Sequence, residues 1–190
     1  MTESSDCRSA VLALLHGHFS ALAGSFADAP DDIRAALVAD ASFRETPIDP
    51  SVVSGLEAGL PAPLPPALRA LLSVGYFRAI EAHEFILPGV TPRNPMASAG
   101  ALLLHRELWP CGYLQVGFGP CGDPLCLDIR QPQPSGEYPV VVFNHDLIPA
   151  DAWNTRETLQ PFGVTVAQSF LALLTGLCTL NEGPPWVPAA

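Results

Sequence analysis

The amino-acid sequence predicts an α+β fold, in which helices precede an antiparallel or mixed sheet and a further helix closes the chain. Three observations lead to this prediction. Apolar residues recur at helical spacing in the first part of the chain, alternate with a period of two over residues 114–129, and return to helical spacing over residues 170–177. Helices followed by strands and then by a helix are typical of α+β domains. The length of 190 residues suits one domain with an appendage.

Several helices are predicted before the sheet. The first covers residues 9–27, where one side carries Val11, Leu14, Leu15, His18, Phe19, Leu22 and Phe26. The others are predicted over Asp31–Ala39, over Ser51 to about Ala58, and from Pro65 or Pro66 to Gly75. The segment FRETPIDP (43–50) has the composition of a linker. We therefore predict an N-terminal helical extension over residues 1–45 and an α+β domain over residues 46–190.

Strand signals begin at EFILPGV (84–90), which precedes a predicted loop, TPRNPMASAG (91–100). The next segment, ALLLHREL (101–108), fits a strand or a helix equally well. Alternating apolar residues then predict strands around Leu114–Phe118 and Leu125–Ile129, and VVVF (140–143) is a third candidate. Because short turns separate these runs, they favour an antiparallel meander. For the closing helix, Thr165 and Gln168 fit a capping box, and the apolar stripe is Phe170, Leu173, Leu174 and Leu177.

The segment GFGPCG (117–122) matches the glycine pattern of a dinucleotide-binding turn. Such a turn requires a helix directly after the glycines, because the N-terminus of that helix binds the pyrophosphate. Here the following apolar residues repeat every two positions, which is strand spacing. The glycines therefore predict a hairpin, in which Gly119 and Gly122 adopt positive φ and Gly117 relieves crowding on the sheet.

The net charge of −10 and the complete absence of lysine limit the classes of partner. Nucleic-acid binding needs clustered positive charge, so we predict no nucleic-acid partner. The acidity matches a basic or cationic partner, but the explanation that we favour is that it keeps an apolar protein in solution. No signal peptide or membrane-spanning run is evident, and five cysteines without a dense framework favour reduced thiols. We therefore expect a cytoplasmic protein that does not associate with a membrane; the oligomeric state stays open.

Polar residues near the predicted strand ends are the candidates for function. Asn144, His145 and Asp146 fit either an acid–base pair or a polar cluster that bonds to the backbone of a turn, and we favour the cluster. A zinc site formed by Cys111, Cys121 and Cys126 with His105 or His145 is disfavoured by the cysteine spacing. We assign no catalytic, cofactor-binding or metal-binding residue. As a possible partner-binding patch at one end of the sheet we select Asp123, Asp128, Glu137, His145 and Asp146, with solvated turn carboxylates as the alternative.

Short segments in a fixed order resemble the SUKH superfamily, which contains yeast cell-wall regulators of the Knr type and many bacterial immunity proteins. The similarity covers residues 51–180, from LEAGLPAPLPPALRALLSVGYF through GYLQVGFGPCGDPLCLDI and YPVVVFNHD to VAQSFLALL. The matching positions are Leu64, Pro65, Gly75, Gly119, Gly122, Asp123, Leu127, Asp128, Val141, His145, Asp146, Ser169, Phe170 and Leu174. Two features depart from the family pattern: the helix ends in GYF, and residues 1–45 have no counterpart.

This resemblance implies a curved sheet that holds a protein partner, without cofactor or catalysis. In bacteria it implies an immunity protein that neutralises a cognate toxin. Two alternatives stay open. One is a regulatory or scaffold protein of the same fold, and the other is a small hydrolase or metal-dependent enzyme that uses His145, Asp146 and Asp128.

Overall fold

The computed structural model describes residues 3–40, 43–91, 100 and 105–179, and it confirms the α+β fold. In this part of the chain the α-helices are α1 (Glu3–Gly24), α2 (Asp31–Asp40), α3 (Pro50–Glu57), α4 (Pro66–Val74), α5 (Arg156–Leu159) and α6 (Phe170–Cys178). The predicted loop at residues 92–99, the first half of the ambiguous segment 101–108 and the tail from residue 180 lie outside the described residues. None of the described helices has the length and apolarity needed to cross a membrane.

The sheet is a six-stranded antiparallel meander that is curled into a half-barrel. Its strands are β1 (Ile80–Ala82), β2 (Phe85–Leu87), β3 (Tyr113–Phe118), β4 (Pro124–Asp128), β5 (Val140–Phe143) and β6 (Gly163–Ala167). Each strand pairs with the next one along the chain, so β1 and β6 form the two edges. The register shifts between Gln115 and Gly117, which marks a β-bulge in β3. This arrangement confirms the predicted meander.

One face of the sheet packs against the long helices. Leu114 and Val116 from β3 and Leu125 and Leu127 from β4 are fully buried in this main core. Helix α1 belongs to the same core, because it packs against α4 and α6 and buries Val11, Leu15, His18 and Phe19. The predicted N-terminal extension thus contributes side chains to the core of the α+β domain, and the domain boundary at residue 45 stays a prediction.

The other face of the sheet is covered as well. Tyr113, Cys126 and Phe143 project from this face and form a second core with residues of the segments 108–111 and 148–159. Cys126 lies on the opposite face of β4 from Leu125 and Leu127 and is fully buried there. The described part of the sheet therefore offers a partner its ends and edges rather than an open face.

The glycine motif forms a hairpin, because β3 and β4 pair antiparallel on either side of it. Gly122 has a φ of +86°, as predicted, and Cys121 before it has a φ of 55°. The prediction for Gly119 is wrong, since its φ is −94°. A Cβ at Gly119 would instead lie 2.7 Å from Cγ2 of Val142, so crowding favours glycine there. Gly117 relieves crowding as expected, because its Cβ would lie 2.5 Å from the carbonyl oxygen of Ile86.

The start of the last helix is the main correction to the predicted elements. Thr165 lies in strand β6, so the predicted capping box of Thr165 and Gln168 is wrong. The N-cap of helix α6 is Ser169, four residues after the predicted cap Thr165. Oγ of Ser169 accepts a hydrogen bond from the backbone N–H of Ala172 at 3.0 Å.

Candidate functional site

A histidine–carboxylate pair lies at one end of the sheet, where β5 leaves it. Asn144 caps a turn of 3-10 helix, His145–Leu147, by accepting a hydrogen bond from the backbone N–H of Asp146. Across the sheet end, Oδ1 of Asp123 lies 2.6 Å from Nδ1 of His145 and accepts the backbone N–H of His145 at 3.0 Å. Because an ionised carboxylate only accepts hydrogen bonds, Nδ1 of His145 carries the proton. The imidazole is therefore held in one orientation.

The second nitrogen of His145 faces the exposed residue Asp146. Nε2 lies 3.4 Å from Oδ1 of Asp146, whose side chain is 77% exposed, whereas Asp123 is buried. Of the three residues interpreted as a polar cluster that bonds to the backbone of a turn, Asn144 makes such a bond. Asp123, which was not part of that predicted cluster, also binds the backbone of this turn.

A cavity of about 430 Å³ opens beside this pair, and we refer to it as the sheet-end cavity. Its described lining residues come from the segment after residue 104, from the glycine hairpin and from the turn that follows β5. They are His105, Glu107, Leu108, Gln115, Cys121, Gly122, Pro124, His145 and Trp153. The cavity therefore has an apolar wall and several polar groups close together, which is typical of a binding site.

Gln115 is a buried polar side chain of this cavity. It is 2% exposed, and its Nε2 donates a hydrogen bond to the carbonyl oxygen of Gly117 at 2.9 Å. That bond identifies the NH₂ group and the oxygen of the amide, because the carbonyl oxygen of Gly117 can accept a hydrogen bond from Nε2 but not from Oε1. Oε1 of Gln115 is buried and has no hydrogen-bond partner among the described residues. An unsatisfied buried acceptor of this kind calls for a donor that the described residues do not supply.

Glu107 places a negative charge at the rim. Its Oε1 lies 2.6 Å from Nδ1 of His105. Hydrogen bonds from its own backbone N–H and from His105 hold the pKa of the Glu107 carboxyl below its usual range. Glu107 is therefore ionised at neutral pH.

The three cysteines of the disfavoured zinc site do not form a ligand set. Cys111 and Cys126 are buried in the second core, where burial raises the pKa of each thiol. Cys121 is exposed on the hairpin turn. Within the described ranges, no three His, Cys, Asp or Glu side chains converge where they could hold a metal ion.

Asp128 lies at the opposite end of β4 from Asp123 and has a different set of partners. Its two oxygens accept hydrogen bonds from Nη1 and Nη2 of Arg156 at 2.8 and 2.7 Å. Its side chain is 5% exposed, and the guanidinium of Arg156 also stacks over the ring of Tyr113 at 5.0 Å. This bidentate pair connects the sheet to α5.

Glu137 is buried near the Asp128 end of the sheet. Oε1 accepts the backbone N–H of Ala67 at 2.9 Å, and Oε2 accepts the backbone N–H of Phe170 at 3.0 Å. One carboxylate thus binds the N-termini of both α4 and α6. The single acidic patch expected from the sequence is consequently not formed: Asp123, His145 and Asp146 lie together, and Asp128 and Glu137 lie at the other end of β4.

The sequence prediction included His145, Asp123 and Asp146 but missed Gln115, Glu107 and Trp153. One signal for Gln115 was available, because it is the polar residue in an otherwise apolar strand, YLQVGF. No comparable signal marks Glu107 or Trp153, since segments far apart in the chain bring them to the cavity.

Comparison with known proteins gives no match: no protein-family model matches the chain, and neither curated proteins nor solved structures show significant similarity. Function is therefore inferred from the fold and from the residues at the sheet end.

Proposed function

We propose that this protein is a non-enzymatic binding module of the SUKH type, and specifically an immunity protein that neutralises a cognate bacterial toxin by covering a functional surface of that toxin. The proposal extends the resemblance over residues 51–180. It agrees with the α+β fold and with the net charge of −10, which favours a basic partner. The five cysteines are all free thiols, which fits a role in the reducing cytoplasm.

The observation that supports the proposal most directly is the exposed turn at residues 145–147. Leu147 is 68% exposed, the highest value among the exposed large apolar side chains of the described residues. It follows the acidic Asp146, and the Asn144 cap and the Asp123 bonds hold the turn in place. A rigid turn with an apolar side chain beside a charge loses little conformational entropy when a partner binds. It therefore suits a protein interface.

The first test is co-expression with the product of any toxin-like gene that adjoins the gene for this chain. We expect the wild-type chain to restore growth and to bind the purified toxin domain in calorimetry. The double variant Asp146→Lys/Leu147→Ser should weaken binding at least about tenfold, because it reverses one charge and removes one apolar contact at the interface.

A matched control comes from helix α2, which carries the same pair of residue types. Asp32 and Ile33 are both exposed, and Ile33 is 50% exposed. The variant Asp32→Lys/Ile33→Ser changes charge and exposed apolar area in the same way, and it should bind like the wild type. Equal weakening by both variants would contradict the assignment of the turn. Absence of both binding and protection would contradict the immunity function, and a stable partner that is not a toxin would favour a regulatory or scaffold protein.

A small hydrolase is the second candidate, and the pairing of His145 with Asp123 favours it. A histidine oriented by a carboxylate serves as a general base, and Cys121 lines the same cavity. His145→Ala should abolish turnover on a panel of ester and amide substrates if this candidate is correct. Turnover that survives in His145→Ala, or is absent in the wild type, removes it. Stoichiometric metal in the purified protein would favour the metal-dependent alternative.

A further inference from the structure

The polar atoms of Gln115 and Glu107 at the sheet-end cavity are hydrogen-bond acceptors. Oε1 of Gln115 is a buried acceptor that has no partner among the described residues, and the carboxylate of Glu107 at the rim only accepts. The amide of Gln115 cannot rotate to offer a donor, because its Nε2 is held by the carbonyl oxygen of Gly117. A ligand that matches this cavity must therefore donate hydrogen bonds.

The charge around the cavity favours a cation. Glu107 is ionised, and the carboxylates of Asp123 and Asp146 lie next to the two ring nitrogens of His145, Asp123 at Nδ1 and Asp146 at Nε2. The described lining residues include no arginine, so the titratable groups there are the two carboxylate-paired histidines, Glu107 and Cys121. A positive ligand group gains from these carboxylates and meets no fixed positive charge.

The remaining wall of the cavity is apolar. Leu108, Pro124 and the indole of Trp153 line it. An arginine side chain combines the matching features: an aliphatic stem that packs against apolar surface, a planar guanidinium that stacks on an indole, and five N–H donors. The volume of about 430 Å³ accommodates one such side chain.

We propose that the sheet-end cavity binds an arginine side chain of the protein partner. Its guanidinium is neutralised by Glu107 and donates a hydrogen bond to Oε1 of Gln115 once the groups that cover this buried atom move aside. The source of the arginine rests on the proposed function. The chemistry of the cavity does not, because it follows from Gln115, Glu107 and Trp153 alone.

The direct test uses a small probe and the full chain. Nα-acetyl-arginine amide is titrated into the protein while the NMR signal of the Trp153 indole N–H is followed. The matched probe is Nα-acetyl-citrulline amide, which has nearly the same shape but no charge. We expect saturable binding of the arginine probe and at least about tenfold weaker binding of the citrulline probe. Equal binding of the two probes, or no binding of either, would overturn the proposal.

Two variants test separately the hydrogen bond to Gln115 and the charge of Glu107. Gln115→Met removes the acceptor at similar volume, and Glu107→Gln removes the charge at constant shape; each should weaken the arginine probe about fivefold or more. The control is Glu81→Gln on the edge strand β1, which also removes one exposed negative charge and should change nothing. If Glu81→Gln weakens the probe as much as Glu107→Gln, net charge alone explains the binding and the cavity assignment is wrong.

A third probe tests whether the ligand is a side chain or a free guanidine. Ethylguanidine lacks the peptide backbone, and clearly tighter binding of ethylguanidine would contradict a side-chain pocket.

Measurements with the toxin domain distinguish this proposal from the proposed function. If the toxin domain binds and protects, but Gln115→Met and Glu107→Gln leave its affinity unchanged, the cavity proposal fails and the immunity function stands. If the arginine probe binds and the toxin domain does not, the cavity stands and the immunity function fails.

Discussion

Glu137 connects elements that are far apart in the chain. Its two oxygens accept the backbone N–H groups of Ala67 and Phe170, which are separated from it by 70 and 33 positions. The first N–H groups of a helix have no partner within the helix, and the helix dipole makes that end attractive to a negative charge. Glu137 satisfies such groups at two helices at once.

We therefore expect Glu137→Gln to destabilise the protein by about 2–3 kcal/mol, because the new NH₂ group faces a backbone donor and the charge is lost. Urea denaturation followed by circular dichroism measures the change in the free energy of unfolding. Glu81→Gln, an exposed change of the same type, should stay within about 0.5 kcal/mol. A similar effect of both variants would show that Glu137 is not a structural cap.

His18 provides a prediction about pH. It is 2% exposed in the main core, and burial lowers its pKa below the ordinary value of 6.5. The unfolded chain therefore binds a proton at His18 at a higher pH than the folded protein does. The contribution of His18 to stability is complete above the pKa of the unfolded state and is lost as the pH falls towards the folded pKa.

The wild-type protein should accordingly lose about 1 kcal/mol more stability than His18→Leu between about pH 7.5 and pH 5.5. Parallel urea titrations at a series of pH values measure the difference, and other titrating groups cancel in the comparison. Curves of equal slope for the two proteins would show that His18 is protonated in the folded state too.

At the scale of elements, the two possible caps of α6 make a matched pair. Ser169 accepts the backbone N–H of Ala172, whereas Thr165 lies on the edge strand β6 with its side chain exposed. We expect Ser169→Ala to destabilise the protein by about 1 kcal/mol and Thr165→Ala by less than about half of that. Thermal unfolding followed by circular dichroism distinguishes them. The reverse order would support the capping box that the sequence suggested.

The long helices and the central strands could be predicted from the sequence because each carries several residues of one periodic pattern. Helix α4 and strands β3 and β4 are of this kind, whereas β5 is a short unbroken apolar run, VVVF. Strand β1 has three residues, too few to show a period. In β6, Val164 and Val166 show the alternation of a strand, but Thr165 and Gln168 also fit the start of a helix. The strand continues through Thr165 because the helix is capped further along the chain, at Ser169. Local signals were therefore sufficient for long elements and insufficient for short ones.

The difference between local and long-range signals also explains which residues of the candidate site could be predicted. His145 and Asp146 are neighbours in sequence, so their clustering was visible. The partners of Glu137 and Asp128 lie in distant segments, and only the folded chain shows that these carboxylates bind helix N-termini and Arg156. A buried acid and an exposed acid look alike in a sequence, because the difference lies in what surrounds them after folding.

At the scale of the whole molecule, the two covered faces of the sheet limit where a partner can bind. The helices cover one face and the segments 108–111 and 148–159 cover the other, which leaves the edges and ends of the sheet, among them the end with the exposed turn and the cavity. Asp146 and Glu107 give this end negative charge, and the chain as a whole carries −10. Charges that are exposed at the edge of an interface act mainly on the rate of association.

For the proposed complex with a basic toxin domain, we therefore expect the association rate constant to fall at least about tenfold when the ionic strength rises from about 0.05 to 0.5 M, while the dissociation rate constant changes little. Stopped-flow measurement of tryptophan fluorescence gives both rate constants. Asp146→Asn should slow association more than Asp32→Asn does, although both remove one charge, because only Asp146 lies beside the proposed contact. Association that is insensitive to salt would contradict a basic partner, and equal slowing by the two variants would place the interface away from the sheet end.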